Sequence, residues 1–180
     1  MEQQLWDACS AGKVEKVQKL LQNPEINTNW QDFEYSRTSF WIACQKGHIE
    51  VVKLLLNDKR VDINKVNKYG VTPFLIACGK GHIDIVKLAL CDERVDLNKA
   101  RDDGVTPFCV ACFRGHIKIV KYLLGYGRGI DINQKNNEGK TAIDFAKQRN
   151  ETDIVELIEL FQKNQSEIKL VLRKELGLSG

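Results

Sequence analysis

No apolar run in the 180-residue sequence approaches the roughly 18 residues needed to cross a bilayer. The opening MEQQLWDACSAG lacks the basic start and apolar stretch of a secretory leader. Both absences lead to the expectation of a soluble, cytoplasmic chain with no membrane insertion. Net charge is only +3, too little by itself to indicate nucleic acid or an anionic surface, so any electrostatic partner must be read from where the charges lie. Also missing are Gly-x-Gly-x-x-Gly, a phosphate loop ending in Lys, His-Glu-x-x-His and a serine nucleophile elbow. Without them the chain is expected to be no enzyme and to need no cofactor.

What is present is a repeated phrase. Residues 72–90 read TPFLIACGKGHIDIVKLAL; the same phrase starts at Thr106 as TPFCVACFRGHIKIVKYLL and at Thr38 as TSFWIACQKGHIEVVKLLL. Thr38, Thr72 and Thr106 are 34 residues apart, and Thr141 opens a worn version 35 residues further on. A fixed period of this size indicates stacked supersecondary units. Within each unit, Thr72 suits a helix N-cap, Pro73 the first helical position and Gly81 a left-handed stop before a second helix near His82. Phe74, Ala77 and Cys78, then Ile83, Val86, Leu88 and Leu90, recur with near-helical spacing. One helix pair cannot bury both faces, so neighbours must stack.

The elements Thr-Pro-Phe-x-x-Ala and Gly-His-Ile-x-x-Val resemble the ankyrin repeat. The resemblance implies an all-α ankyrin-repeat solenoid of helix-turn-helix pairs with projecting β-hairpin fingers. Five repeats are expected, at approximately 1–29, 30–66, 67–100, 101–135 and 136–163. The first lacks its finger and the fifth carries Asn150 and Glu151 where the others have Gly and His. Residues 164–180 are expected to form a capping helix, or the start of a further module. Ser166 is the expected cap, Gly177 the stop, and Ile168, Leu172 and Leu176 form a shared face that must dock, sealing the fifth repeat if it is a cap.

Six cysteines and three histidines raise the question of a metal, because Cys44/His48, Cys78/His82 and Cys112/His116 share one spacing. The repeat accounts for them better. Cys9, Cys44, Cys78 and Cys112 occupy a single slot that wants a small buried side chain, and the intervening Gly ends the helix, so Cys and His do not share a face. Neither metal nor disulfide is expected.

Between repeats, each linker holds Asp-x-Asn and then a turn glycine, Gly70, Gly104 or Gly139. The Asn precedes the next Thr by 8 residues, except in the first finger, where the separation from Asn29 to Thr38 is 9 and Ser36 replaces the glycine. That finger carries Trp30, Phe33 and Tyr35. At the histidine slot of Thr-Pro-Leu-His stand Trp41, Leu75, Cys109 and Asp144. In the resemblance that histidine ties fingers to helices, so its loss implies greater reliance on apolar packing, and Trp41 is expected in the core.

The resemblance further implies binding through a concave groove made of finger tips and first-helix faces. Its variable positions fall on Glu34, Tyr35, Arg37, Lys46, Lys68, Tyr69, Val71, Lys80, Asp102, Asp103, Val105, Phe113, Arg114, Glu138, Lys140 and Arg149, among others. Lys46, Lys80, Arg114 and Arg149 share one slot and would form a ladder of positive charge. The lysines at 53, 87 and 121 belong to second helices, on a different face. Candidate partner-binding residues are therefore Trp30, Phe33, Tyr35, Arg37, Lys46, Tyr69, Lys80, Phe113, Arg114 and Arg149, large aromatics and arginines being the usual hot spots. The expectation is a monomer that binds a protein or peptide presenting carboxylates or phosphates. The alternative is a substrate-recognition or targeting segment of a larger enzyme or effector. Nucleic-acid binding along the ladder is a weaker reading, opposed by Glu34, Asp102, Asp103 and Glu138 at the finger tips.

Overall fold

In the computed structural model, which describes residues 1–126 and 129–178, eleven helices follow one another and no extended strand forms among the described residues. They are α1 (Glu2–Ser10), α2 (Val14–Leu21), α3 (Ser39–Lys46), α4 (Ile49–Asn57), α5 (Pro73–Lys80), α6 (Ile83–Cys91), α7 (Pro107–Phe113), α8 (Ile117–Tyr126), α9 (Ala142–Gln148), α10 (Thr152–Lys163) and α11 (Gln165–Glu175). First helices pack in succession, α1 on α3, α3 on α5, α5 on α7 and α7 on α9. Second helices form a parallel row from α2 to α10. The apolar core is one cluster running through the whole stack.

Each first helix begins as its sequence dictates. The hydroxyls of Thr38, Thr72 and Thr106 accept from the backbone N–H of Trp41, Leu75 and Cys109 at 3.1, 3.0 and 3.1 Å. All three threonines are buried, so their capping bonds replace water that cannot reach those helix starts. The stop at Gly47 answers to two constraints. Its φ is +79°, and a Cβ there would lie 2.6 Å from Cε1 of His82. His82 Nε2 in turn donates to the Gln45 carbonyl at 2.9 Å. His48 meets Ser10 O at 3.0 Å and His116 meets Gly79 O at 3.2 Å in the same way. Each imidazole thus satisfies a carbonyl at the C-terminus of the preceding first helix, and only a bare Cα lets it approach.

The linkers lock neighbours together along a second line. Asn29 Nδ2 donates to Arg60 O at 2.7 Å while its Oδ1 accepts from Asp62 N at 2.7 Å. Asn64 repeats the exchange with Arg94 O and Asp96 N, and Asn98 with Gly129 O and Asp131 N. The acids of Asp-x-Asn serve this geometry, since Asp62, Asp96 and Asp131 accept from the N–H of Asn64, Asn98 and Asn133. The lengthened linkers also supply caps. Arg60, held by Asp58 at 2.6 Å, donates to Leu21 O at the end of α2 and to Asn23 O and Pro24 O just beyond it, and Arg94 donates to Leu56 O of α4. Arg60 holds the Asp58 carboxyl below its ordinary range against the opposing effect of partial burial. Arg128, in the corresponding linker after α8, lies outside the described residues.

Four details differ from expectation. The fingers are tight turns rather than paired strands: Asn67 N–H donates to Val71 O, Arg101 to Val105 O and Asn136 to Lys140 O, and one isolated bridge joins Gln31 to Thr38. Too few residues separate turn from helix for a longer ladder. The histidine slot is also not simply apolar, because the buried Trp41 donates Nε1 to Val71 O at 2.9 Å and restores a tie to the next finger. At the same slot Asp144 accepts from Thr141 N–H at 2.8 Å.

The remaining two concern the last helix. It starts at Gln165, because Asn164, with φ −146°, breaks α10 and alone separates the two helices; Ser166 is helical interior. Gly177 does end it, at φ +66°. Nor does α11 dock on the fifth repeat alone. It folds back on α8 and α10, with buried Leu172 over Gly125, where a Cβ would come within 3.3 Å of Leu172 Cβ, and with Lys121 paired to Glu175 at 2.7 Å. The fifth repeat ends the stack differently. Lys147 and Glu159 stand where the second repeat has Cys44 and Leu56, and they pair with each other at 3.4 Å.

Candidate interaction surface

The finger tips are joined side to side by backbone bonds, Lys68 N–H to Tyr35 O at 3.0 Å, Asp102 N–H to Tyr69 O at 3.3 Å and Asn137 N–H to Asp103 O at 3.0 Å. The turns need left-handed residues, and Ser36 supplies one at φ +55° where the other fingers use glycine. Side chains on this ribbon are therefore held in register from one repeat to the next.

Aromatic rings and cations alternate along it. The Arg37 guanidinium lies 5.2 Å from the ring of Trp6 and 4.7 Å from that of Tyr35. Lys68 Nζ follows, 4.4 Å from Tyr35 and 5.2 Å from Tyr69. Arg37 is anchored by a two-point contact to Asp32, at 2.8 Å from Nε and 2.6 Å from Nη2. Burial alone would raise the Asp32 carboxyl, but the bonds from Arg37 outweigh it and hold the group below its usual value. Asp32 also accepts from the N–H of Tyr35 and Arg37, so one carboxylate shapes the whole first finger. Rings and cations fixed in this manner lose little entropy on binding.

Of the residues singled out by sequence, Phe33 projects from the first finger almost fully exposed, at 97%, with the half-buried Trp30 edge-on at 6.0 Å. Tyr69 is 52% exposed. Tyr35 and Arg37 are half-buried within the stack just described, while Lys46, Lys80, Arg114 and Arg149 are all exposed. Phe113 receives two guanidiniums, Arg114 at 5.7 Å and Arg149 at 5.2 Å from its centroid, and Phe145 meets it edge-on at 6.0 Å. Val105 is withdrawn into the core and offers nothing to a partner. Trp6 is the participant that sequence reading missed. It precedes Ala8 by two residues as Trp41 precedes Ala43, but a repeat lacking its own finger gives no reason to look for a groove residue there. Between fingers, Tyr69, Val71, Arg101, Asp102 and Asp103 line a cavity of about 340 Å³.

The buried thiols have no metal-like grouping. Among the described residues no three His, Cys, Asp or Glu side chains come together as a metal site would require. Burial raises the thiols of Cys44, Cys78 and Cys112 well above the ordinary range, and that of Cys9 to about 12. They are small core residues without thiolate character. Among the described residues no helix is long and apolar enough to cross a membrane.

The family model for ankyrin repeats in sets of three matches residues 5–101 and, in a second placement, 76–169, so the chain belongs to the ankyrin-repeat family. Ankyrin repeats are in general protein-protein interaction modules. No curated protein matches the chain.

Proposed function

We propose that this protein is a non-catalytic, monomeric interaction module whose finger tips and first-helix faces bind a protein or peptide partner. The observation that carries the reading is the ordered row from Trp6 through Arg37, Tyr35 and Lys68 to Tyr69, in which anchor-type side chains are held ready on one side of the stack. Tyr69 is the exposed anchor of that row, and Phe33 stands exposed on the first finger; the Phe113 platform extends the surface toward the fifth repeat.

A partner isolated by affinity capture, titrated calorimetrically against variants, tests this. Phe33→Ala and Tyr69→Ala are each expected to weaken binding about tenfold or more, as hot-spot truncations do. The comparison pair is Leu170→Ser/Val171→Ser on α11, whose side chains are 69% and 53% exposed and therefore equally available to a partner. That pair is expected to leave affinity unchanged. Loss on α11 with none at the fingers would place the interface elsewhere.

A further inference from the structure

We infer that the partner approaches this face with an acidic segment and that its strongest anion contact is the guanidinium pair Arg114 and Arg149. The inference deepens the proposed function and rests on it. Two sets of equivalent repeat positions differ in how their cations are paired. On the second helices Lys53 pairs with Glu50 at 2.7 Å, Lys87 with Asp84 at 3.6 Å and Lys121 with Glu175 at 2.7 Å. The ladder cations Lys46, Lys80, Arg114 and Arg149 are exposed, and among the described residues none has a carboxylate within ion-pair distance. Several acids of the finger side are already engaged, Asp32 by Arg37, Asp103 by Arg101 and Glu138 by Lys140. Four cations without an ion pair therefore remain, on the face that carries the aromatic anchors.

Among these four, Arg114 and Arg149 differ from the lysines. Both guanidiniums lie over the single ring of Phe113, which Phe145 fixes from its edge. Two like charges converging on one ring repel each other, and a bound oxyanion relieves that repulsion. A guanidinium seated on a ring face keeps its N–H edge free to grip a carboxylate at two points, which an ammonium cannot do. Lys46 and Lys80 act as point charges that steer the rest of the segment. A peptide suits the face better than a nucleic acid because Glu34 and Asp102 would repel an uninterrupted polyanion, whereas a peptide can place apolar side chains on Tyr69 and carboxylates on the ladder.

Fluorescence anisotropy of a labelled oligoglutamate peptide with the full chain tests this directly. The peptide is expected to bind, with affinity falling between about 0.01 M and 0.15 M salt as screening sets in. Arg114→Gln/Arg149→Gln should weaken it about tenfold or more, Arg114→Lys/Arg149→Lys should recover only part of the loss, and Lys53→Gln/Lys118→Gln on the second helices should change it less than about twofold. Three results would overturn the inference: no binding at low salt, equal losses for both Gln pairs, or tighter binding of a labelled oligothymidylate. If that happens while Tyr69→Ala still weakens the captured partner, the interaction surface stands and its ligand is not acidic. Loss of both effects removes both readings.

Discussion

Cys78→Asp is expected to abolish cooperative folding of the central repeats at room temperature, while Cys78→Ala should melt close to the unaltered protein. Cys78 is completely buried in the core, within α5. Its surroundings already disfavour an anion, as burial drives its thiol far above the ordinary range. An aspartate there must either ionise without a partner or stay protonated with its hydroxyl and carbonyl unsatisfied. Either outcome costs several kcal/mol, against a total of roughly 5–15 kcal/mol for a domain of ordinary stability. Alanine removes one sulfur atom and costs about 1 kcal/mol. Circular-dichroism melts decide the matter; an aspartate variant with a normal transition would mean that this slot is not the stacked core described here.

Gly47→Ala should cost about 3–4 kcal/mol and Gly139→Ala only about 1–2 kcal/mol, although both glycines have the same φ of +79°. The difference is in what the new atoms meet. At Gly139 nothing lies within 4 Å of an added Cβ, leaving only backbone strain. At Gly47 the Cβ would stand 2.6 Å from the His82 ring, and moving that ring breaks its bond to Gln45 O. Urea titrations of the two variants measure the gap. Equal losses would show that the histidines do not couple successive repeats.

These two sites were legible because they belong to the repeating unit, where a period exposes what single residues cannot. The same holds for the threonine caps, the buried cysteine slot and the exchange of Ser36 for a turn glycine. What escaped depends on where side chains reach across repeats. Trp6 and Arg37 are 31 residues apart in sequence and meet only because α1 packs on α3. The capping of α2 by Arg60 is written in a linker that reads as a mere lengthening of the usual one. The docking of α11 turns on Gly125, one glycine in an otherwise ordinary second helix, whose meaning appears only when Leu172 is seen against it. Ser166 misled because residue type favours it as a cap, whereas the chain had already broken at Asn164. The ladder's slot could be read from sequence; that its cations stand unpaired while Lys53, Lys87 and Lys121 are paired could not, since Glu175 reaches Lys121 from 54 residues away.

Backbone amide hydrogen exchange, with and without the captured partner, tests the central claim most directly. Slowed exchange is expected at the finger tips, residues 33–37 and 68–71, and around 113–115 at the end of α7, with α4, α6 and α8 unchanged. Protection confined to the second helices or to α11, with the fingers exchanging as freely as before, would contradict it.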